Sequence, residues 1–224
     1  MKHKPYPKYK PSGIDWIGDI PEGWEVYKVK YLTKKIGSGI TPKGGATVYE
    51  NEGIPLLRSQ NIHFDSLRLD DVAYISEGIH NSMKATEVRD GDVLFNITGA
   101  SIGRCNYWTE GIANVNQHVC IVRPSEFILT KYLWFSLSSA FAQQQVWMSQ
   151  DGCSREGLNF ADFGCFNIFV PTKEEQKVIV DFLGRKISEI DGLIQKIESA
   201  IAKLREYRSS LITAAVTGKI DVRG

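Results

Sequence analysis

Four hydrogen-bonding side chains stand in a row after an apolar run near residue 58. The segment IPLLRSQNI, residues 54–62, contains Arg58, Ser59, Gln60 and Asn61. Arginine can read guanine through two hydrogen bonds, and glutamine or asparagine can read adenine in the same way. These four residues are therefore candidates for contacts with DNA bases. A single segment of this composition, however, is more often a turn than a contact surface.

A glycine-rich turn offers a second kind of contact. In GDVLFNITGASIGR, residues 91–104, a predicted strand runs directly into this turn. Thr98, Ser101 and the backbone N–H groups near Gly99 could face a phosphate, with Arg104 beside them. Hydroxyl, backbone amide and guanidinium groups are the donors with which proteins hold a nucleic-acid backbone, so the segment predicts a phosphate contact.

Two later segments add polar side chains next to apolar runs. NVNQHVCIVRP, residues 114–124, places Asn116 and Gln117 just before a predicted strand. DGCSREGLN, residues 151–159, offers Arg155 in a predicted loop. On composition alone, an ordinary turn explains each of these segments at least as well as a contact with DNA.

The patterns that catalysis requires do not occur in the chain. There is no G-x-x-x-x-G-K-[ST] phosphate cradle, no G-x-G-x-x-G after a strand, and no Asn/Asp-Pro-Pro-aromatic run of the kind with which amino-methyltransferases hold a base. The four histidines lack metal-ligand spacing, and the four cysteines contain no C-x-x-C pair. The sequence therefore predicts a protein that binds and does not catalyse, with no cofactor and no metal.

Composition and charge set the broad class. The chain has 224 residues, 42% of them apolar and 24% charged, which is ordinary for a folded protein. A net charge of +1 gives no overall basic field, but local patches such as the lysine-rich residues 1–43 can still bind a polyanion. The start has no apolar run of a signal peptide, and no stretch is long enough to cross a membrane. With cysteines that fit reduced thiols, this predicts a cytoplasmic protein.

Short strands fill the middle of the chain. Residues 26–173 contain β-rich runs separated by turns such as IGSGITPKGG. The predicted strands are VYKVKYL (26–32), VAYI (72–75), DVLFNI (92–97), HVCIVR (118–123) and FNIFV (166–170). Residues 1–13 are predicted to be an extended arm, and residues 129–148 a helix capped by Thr130. We therefore expect a mixed, strand-rich α+β domain over residues 1–172.

A long helix is predicted at the end of the sequence. Thr172 can cap it, and Glu175 completes the capping-box pattern. We expect it to run from about Lys173 to about Thr213, within a second region of residues 173–224. Its apolar residues recur every three or four positions, with one gap of seven: Val180, Leu183, Ile187, Ile190, Ile194, Ile197, Ile201, Leu204 and Leu211. A narrow stripe with a period near 3.5 is suited to a coiled coil, although the helix could instead fold back on its own domain.

Seven segments together resemble the DNA-specificity subunits of type I restriction–modification systems. They are KPSGIDWIGDIPEGWEV, GSGITPK, IPLLRSQNI, GDVLFNITGASIGR, NVNQHVCIVRP, FVPTKEEQKVIVDFL and REYRSSLITAAVTGKIDVRG. The last two are the most specific. The resemblance implies a target-recognition domain for double-stranded DNA, a long spacer helix, and docking of methyltransferase subunits followed by the restriction and translocase subunits.

Such subunits usually hold two recognition domains, each followed by a helix, and the two helices pair antiparallel. This sequence has one of each and resembles a half-length subunit. We therefore expect a homodimer through residues 174–213, with recognition domains at opposite ends and a split DNA site whose halves are inverted repeats. Two alternatives stay open: a scaffold or modulator of another specificity subunit that does not read DNA, and a self-contained modifying nuclease, which the missing catalytic patterns disfavour.

The resemblance also affects which residues are expected to read bases. Family members read different sites while sharing short sequence motifs such as TGASIG and NQH. These shared motifs are therefore expected to shape the fold or to contact the DNA backbone. Residues that read bases are then expected within 62–88, 105–113 and 143–160. Arg58 and Gln60 remain candidates because they border a shared motif. The candidates in those stretches are Arg68, Asn81, Lys84, Asn106, Tyr107, Gln143 and Arg155.

Overall fold

The computed structural model describes residues 4–150 and 157–223. Its strands are β1 (Tyr9–Pro11), β2 (Asp19–Pro21), β3 (Glu25–Lys28), β4 (Thr33–Ser38), β5 (Ile54–Leu57), β6 (Ala73–Ile75), β7 (Glu87–Val88), β8 (Val93–Asn96), β9 (Cys105–Tyr107), β10 (Ala113–Val115), β11 (Val119–Pro124) and β12 (Asn167–Val170). Its α-helices are α1 (Val29–Leu32), α2 (Glu77–Ser82), α3 (Thr130–Ser138), α4 (Ala140–Gln150), α5 (Phe160–Gly164) and α6 (Lys173–Val216). Internal contacts divide the chain into two units, residues 1–178 and 179–224.

Two four-stranded sheets form the body of the first unit. One has the order β6-β5-β10-β7, in which β5 and β10 are parallel, and the other has the antiparallel order β4-β11-β8-β9. Leu57 and Val115 from the first sheet lie in the same buried cluster as Leu94, Val119 and Ile121 from the second. The two sheets therefore share one hydrophobic core. Two smaller antiparallel pairs, β1-β2 and β12-β3, complete the strand pairing of the described residues.

Strand β8 is buried on both faces. Val93, Leu94 and Phe95 have no exposed surface. Leu94 belongs to the core between the sheets, whereas the Phe95 ring lies 4.7 Å from that of Phe163 in α5. A strand that is covered on both sides needs no alternation of polar and apolar residues, which explains the nearly continuous apolar run DVLFNI.

The strands predicted over residues 72–75, 92–97, 118–123 and 166–170 are confirmed by β6, β8, β11 and β12. The strand predicted over residues 26–32 is wrong in its second half, where the chain forms α1. Val29 and Leu32 are both buried there, and a spacing of three places them on one side of a helical turn. The arm predicted at the start of the chain contains β1, which pairs with β2.

The single helix predicted over residues 129–148 is also wrong, because the chain forms two helices. Ser139 between them has an extended backbone, with φ −68° and ψ 152°. Its hydroxyl accepts a hydrogen bond from the backbone N–H of Ala142 at 3.3 Å and so caps α4. Thr130 is the first residue of α3 and not its cap, and its hydroxyl donates to the carbonyl of Gly91 at 2.9 Å.

The start of α6 forms half of the expected capping box. The backbone N–H of Glu175 donates to the Thr172 hydroxyl at 3.3 Å. The Glu175 carboxylate does not close the box, because it accepts from the Tyr6 hydroxyl at 2.7 Å and from Nε1 of Trp24 at 3.1 Å. Burial and the neighbouring carboxylate raise the pKa of Tyr6 to about 12. The N-terminal segment is thereby tied to the first turn of α6.

A buried amide makes a second tie at this turn. Gln176 has no exposed surface. Its Oε1 accepts from the N–H of Leu129 at 2.9 Å, and its Nε2 donates to the carbonyls of Phe127 and Pro171, each at 3.1 Å. Because both ends of the amide are bonded, the side chain can be buried without an unsatisfied polar group.

Helix α6 contains 44 residues, so it extends about 65 Å at ~1.5 Å per residue. It begins at Lys173 as predicted and ends three residues beyond the predicted Thr213. Gly184 and Gly192 lie within it and have no heavy atom near the position of a Cβ. No helix among the described residues is both long and apolar enough to cross a membrane.

A polar cluster is buried where β7 pairs with β10. Asn114 has no exposed surface; its Oδ1 lies 2.6 Å from Nδ1 of His80, and its Nδ2 donates to the Thr86 hydroxyl at 3.0 Å. Next to it, the carboxylate of Glu87 lies 2.6 Å from Nζ of Lys84 and 2.7 Å from Nε of Arg89.

The two cations hold Glu87 in its ionised form. Their hydrogen bonds, opposed by burial, lower the pKa of Glu87 from 4.5 to about 2. A depressed carboxyl pKa stabilises the fold at pH values where the group would already be ionised in the unfolded chain. The contribution is therefore complete above pH 4.5 and is lost as the pH falls towards 2.

We expect Glu87→Gln to lower the free energy of unfolding by about 1–2 kcal/mol near neutral pH, because Lys84 and Arg89 are more than half exposed and water screens them. The difference between the native protein and this variant should shrink as the pH is lowered below 4.5. Urea unfolding at a series of pH values measures it. Glu110→Gln, at an exposed position, is the control. A Glu87→Gln difference that stayed constant down to pH 3 would contradict the ion-pair explanation.

Candidate nucleic-acid interface

Several strand ends meet at one edge of the two sheets. The parallel neighbours β5 and β10 end side by side. In the other sheet, Ser38 at the end of β4 is opposite Cys120, and Asn96 at the end of β8 is opposite Val119. Both partners are at the start of β11, which follows β10 after residues 116–118. We call the residues gathered here the loop edge: 39–42, 58–61, 97–104 and 116–118.

Hydrogen bonds join these loops directly. Asn96 is buried, and its Nδ2 donates to the carbonyl of Ser59 at 2.8 Å and to the hydroxyl of Ser101 at 3.1 Å. The backbone N–H of Asn116 donates to the carbonyl of Leu57 at 3.0 Å. The structure therefore brings together the predicted residues Ser59, Ser101 and Asn116, which belong to three separate sequence segments. Asn96 was not a predicted site residue, since it reads as part of an apolar strand.

The row Arg58 to Asn61 is organised by Asp71. Nε2 of Gln60 donates to one carboxylate oxygen of Asp71 at 2.6 Å, and Nδ2 of Asn61 donates to the other at 3.0 Å. The Arg58 guanidinium donates to the Asp71 backbone carbonyl at 2.6 Å. Asn61 has no exposed surface, so reading a base with it would require this loop to open. Gln60 is exposed and Arg58 is half-buried.

Thr98 and Gln117 lie at the two ends of one histidine side chain. Nδ1 of His118 is 2.6 Å from the Thr98 hydroxyl, and its Nε2 is 2.9 Å from Nε2 of Gln117. The Thr41 hydroxyl in turn donates to Oε1 of Gln117. Sequence reasoning missed His118 because it belongs to an apolar run, and no local pattern places it beside a threonine twenty residues earlier.

Arg104 supplies an available positive charge. It lies in the turn between β8 and β9 and is half-buried. Within residues 4–150 and 157–223, no hydrogen bond or ion pair engages its guanidinium. A guanidinium without an internal partner at a loop surface is suited to a phosphate.

The remaining predicted residues lie elsewhere or cannot be placed. Arg68 and Lys84 are exposed, and each forms an ion pair with a nearby carboxylate. The ring of Tyr107 lies 5.1 Å from that of Trp134, at the end of β9 that is opposite Val93 and not Asn96. Arg155 lies outside the described residues.

The loop edge is equipped for recognition by hydrogen bonding. Its polar side chains are hydroxyls, amides, an imidazole and guanidinium groups, and no group of three metal-ligating side chains occurs in the part of the chain that the structure describes. A histidine beside a hydroxyl also occurs in nucleophile-activating triads, but there the hydroxyl is bonded to Nε2, whereas the Thr98 hydroxyl lies against Nδ1 of His118 and Nε2 faces Gln117. The geometry favours binding.

A close backbone approach explains one glycine of the GSGITPK segment. A Cβ added to Gly39 would lie 1.6 Å from the carbonyl oxygen of Val115, a separation that no side chain can have. The N–H of Gly39 donates to the carbonyl of Val119 at 3.3 Å. The glycine therefore allows residues 39–42 to lie against the β10–β11 connection. Gly37, two residues earlier, has no atom within 4 Å of its Cβ position.

Comparison with known proteins shows the family to which the chain belongs. The family described as the type I restriction modification DNA specificity domain matches residues 21–203. The chain belongs to this family, so the resemblance carried by the seven sequence segments is confirmed. The family consists of specificity components, in agreement with the expectation of recognition and not catalysis.

Curated relatives of the chain include specificity subunits of type I restriction enzymes. The EcoBI subunit of Escherichia coli is 28% identical over 209 residues, covering 91% of this chain and 43% of the relative. The StySPI subunit of Salmonella potsdam is 22% identical over 208 residues, covering 91% of this chain and 44% of the relative. The chain thus spans less than half the length of these curated relatives.

Solved structures support the same fold. The HsdS subunit of Thermoanaerobacter tengcongensis superposes with a TM-score of 0.64 at 18% identity, over 95% of this chain and 48% of the other. A chain from a study of the assembly of the type I R-M system gives a TM-score of 0.70 at 18% identity, over 89% of this chain and 47% of the other. The mixed α+β fold with a long terminal helix is therefore confirmed.

Gly39→Ala should destabilise the first unit by at least about 3 kcal/mol, because backbone atoms must move to admit the methyl group. Gly37→Ala is the matched control and should change the free energy of unfolding by less than about 1 kcal/mol. Thermal and urea unfolding of the two variants give the comparison. Equal stabilities would mean that residues 39–42 do not lie against Val115 in solution.

Proposed function

We propose that this chain is the DNA-recognition subunit of a type I restriction–modification complex and that it works as a homodimer. The observation that supports the homodimer is the apolar stripe of α6. Seven of its nine residues expose between 37% and 66% of their surface in the single chain: Ile187, Ile190, Ile194, Ile197, Ile201, Leu204 and Leu211. Single exposed leucines are ordinary, but a continuous row marks an interaction surface.

A second copy of α6 is the partner that fits this stripe. Burying a large aliphatic side chain contributes about 1.5–3 kcal/mol, so covering the row gives a strong driving force. The next longest helix among the described residues is α4, which has 11 residues and cannot cover it. The spacing also favours self-pairing, since alternating steps of three and four are those of a coiled-coil seam.

An antiparallel register centred between Ile194 and Ile197 gives the longest overlap. In that register Ile194 is opposite Ile197 of the second copy, Ile190 is opposite Ile201, and Ile187 is opposite Leu204. A two-fold pair of this kind is closed and uses the same surface twice. Because antiparallel helices start at opposite ends, the two recognition domains would lie at opposite ends of the pair.

The loop edge is the surface that we assign to DNA. Thr98, Ser101 and Arg104 are suited to phosphates, and Gln60 and Arg58 can approach base edges. Two identical recognition domains related by a two-fold axis read inverted half-sites, with a gap set by the paired helices. Membership of the family supports docking of methyltransferase subunits, and then of restriction and translocase subunits, on this dimer.

Selection from a randomised pool of DNA duplexes tests the function. The full chain, purified with its modification subunit, should enrich one bipartite sequence whose halves are inverted repeats at a constant separation. A scaffold that does not read DNA would enrich nothing and would bind all duplexes with the same steep dependence on salt. Enrichment of a single, undivided site would contradict the dimeric arrangement.

Ile194→Asp should separate the dimer, because a carboxylate in the middle of the seam would be buried without a partner at a cost of several kcal/mol. Ser199→Asp places the same charge on the same helix, five residues further on and outside the stripe, and should leave the dimer intact. Sedimentation of the two variants shows the difference. An Ile194→Asp protein that stayed dimeric would exclude the proposed seam.

A further inference from the structure

A chain of hydrogen bonds crosses the loop edge and ends on Thr98. The Thr41 hydroxyl donates to Oε1 of Gln117. Nε2 of Gln117 lies 2.9 Å from Nε2 of His118, and Nδ1 of His118 lies 2.6 Å from Oγ1 of Thr98. Four side chains from three loops therefore form one continuous row of polar contacts.

Donor and acceptor chemistry gives this row a direction. In this orientation of the Gln117 amide, Oε1 accepts from Thr41 and the amide nitrogen faces His118, and an amide nitrogen can only donate. Nε2 of His118 must then accept, so the proton of the neutral ring lies on Nδ1 and is donated to Thr98. The Thr98 hydroxyl already accepts this bond, and its own hydrogen is left to be donated outside the row.

The surroundings of Thr98 favour an anionic acceptor. Thr98 is half-buried at the start of the turn that Arg104 closes, and the Arg104 guanidinium has no partner among the described residues. A phosphate oxygen accepts hydrogen bonds and cannot donate them, so it matches a hydroxyl whose hydrogen is not used within the row. The backbone of Thr98 is held as well, through its pairing with Gly157.

We propose that His118 is a positioning residue, which holds the Thr98 hydroxyl as a hydrogen-bond donor to a phosphate of bound DNA. Gln117 and Thr41 orient the imidazole ring, so Gln117 supports this contact and does not read a base. The inference rests on the proposed function and adds to it the class of contact that residues 98 and 116–118 make.

Ethylation interference tests the contact on the duplex selected by the native complex. One phosphate should be found whose ethylation weakens binding of the native protein and of Thr98→Ser, which keeps the hydroxyl. Thr98→Val removes the hydroxyl at nearly equal volume. It should bind every sequence about tenfold more weakly and should no longer respond to ethylation at that phosphate.

Two variants of His118 separate positioning from packing. His118→Asn places an amide nitrogen near the position of Nδ1 and should retain the donor to Thr98, whereas His118→Gln places it near the position of Nε2 and should not. We expect His118→Asn to keep the interference at the phosphate and His118→Gln to lose it. Combining His118→Gln with Thr98→Val should weaken binding no further than Thr98→Val alone, because both changes remove the same contact.

The failures of the two proposals are distinguishable. If the native complex selects no sequence, the proposed function fails. If it selects a site but Thr98→Val leaves the interference pattern unchanged, or relaxes the choice of base at one position, the phosphate contact is wrong. A readout on the native protein does not depend on the variants: ¹⁵N chemical shifts of the His118 ring should show the tautomer protonated on Nδ1, and protonation on Nε2 alone would overturn the inference.

Discussion

The start of β11 is the point on which the candidate site depends. Backbone pairing at Val119 and Cys120 places the ends of β8 and β4 on the two sides of the start of β11, while the parallel pairing of β10 with β5 adds two more strand ends. A slip of one residue in any of these ladders would move the side chains that fill the core between the sheets to the opposite face, so the register is strongly determined. The loop edge is thus a consequence of burying both sheets on one core.

Buried amides hold the segments that strand pairing leaves free. Asn96 joins two loops of the candidate interface, Asn114 joins α2 to the β7–β10 pair, and Gln176 joins the start of α6 to the β11–α3 connection. Each such hydrogen bond adds only about 1 kcal/mol of net stability, but a misplaced partner leaves a buried polar group unpaired at greater cost. These amides therefore specify one arrangement of the loops more than they stabilise it.

Local patterns explain which elements could be predicted. Helix α6 and the strands β6, β8, β11 and β12 follow from periodicity and from residues that favour strands, because those signals lie within the element itself. The division between α3 and α4 could not be predicted in this way. A helix through Ser139 and a helix that restarts there differ by little in intrinsic propensity. The hydrogen bond from the N–H of Ala142 to the Ser139 hydroxyl favours the restart. The same holds for α1, where burial of Val29 and Leu32 outweighs a strand-like sequence.

The sequence by itself determined the family, the succession of a strand-rich region and a long helix, and the apolar stripe along that helix, because these depend on contiguous sequence motifs and on a regular period. Only the tertiary structure decided which polar residues share a surface. Asn61 is turned into the interior, and His118 lies between Thr98 and Gln117. The physical reason is that a hydrogen bond between side chains is sensitive to differences of a few tenths of an ångström in the donor–acceptor distance. Strand register across the whole domain sets those distances.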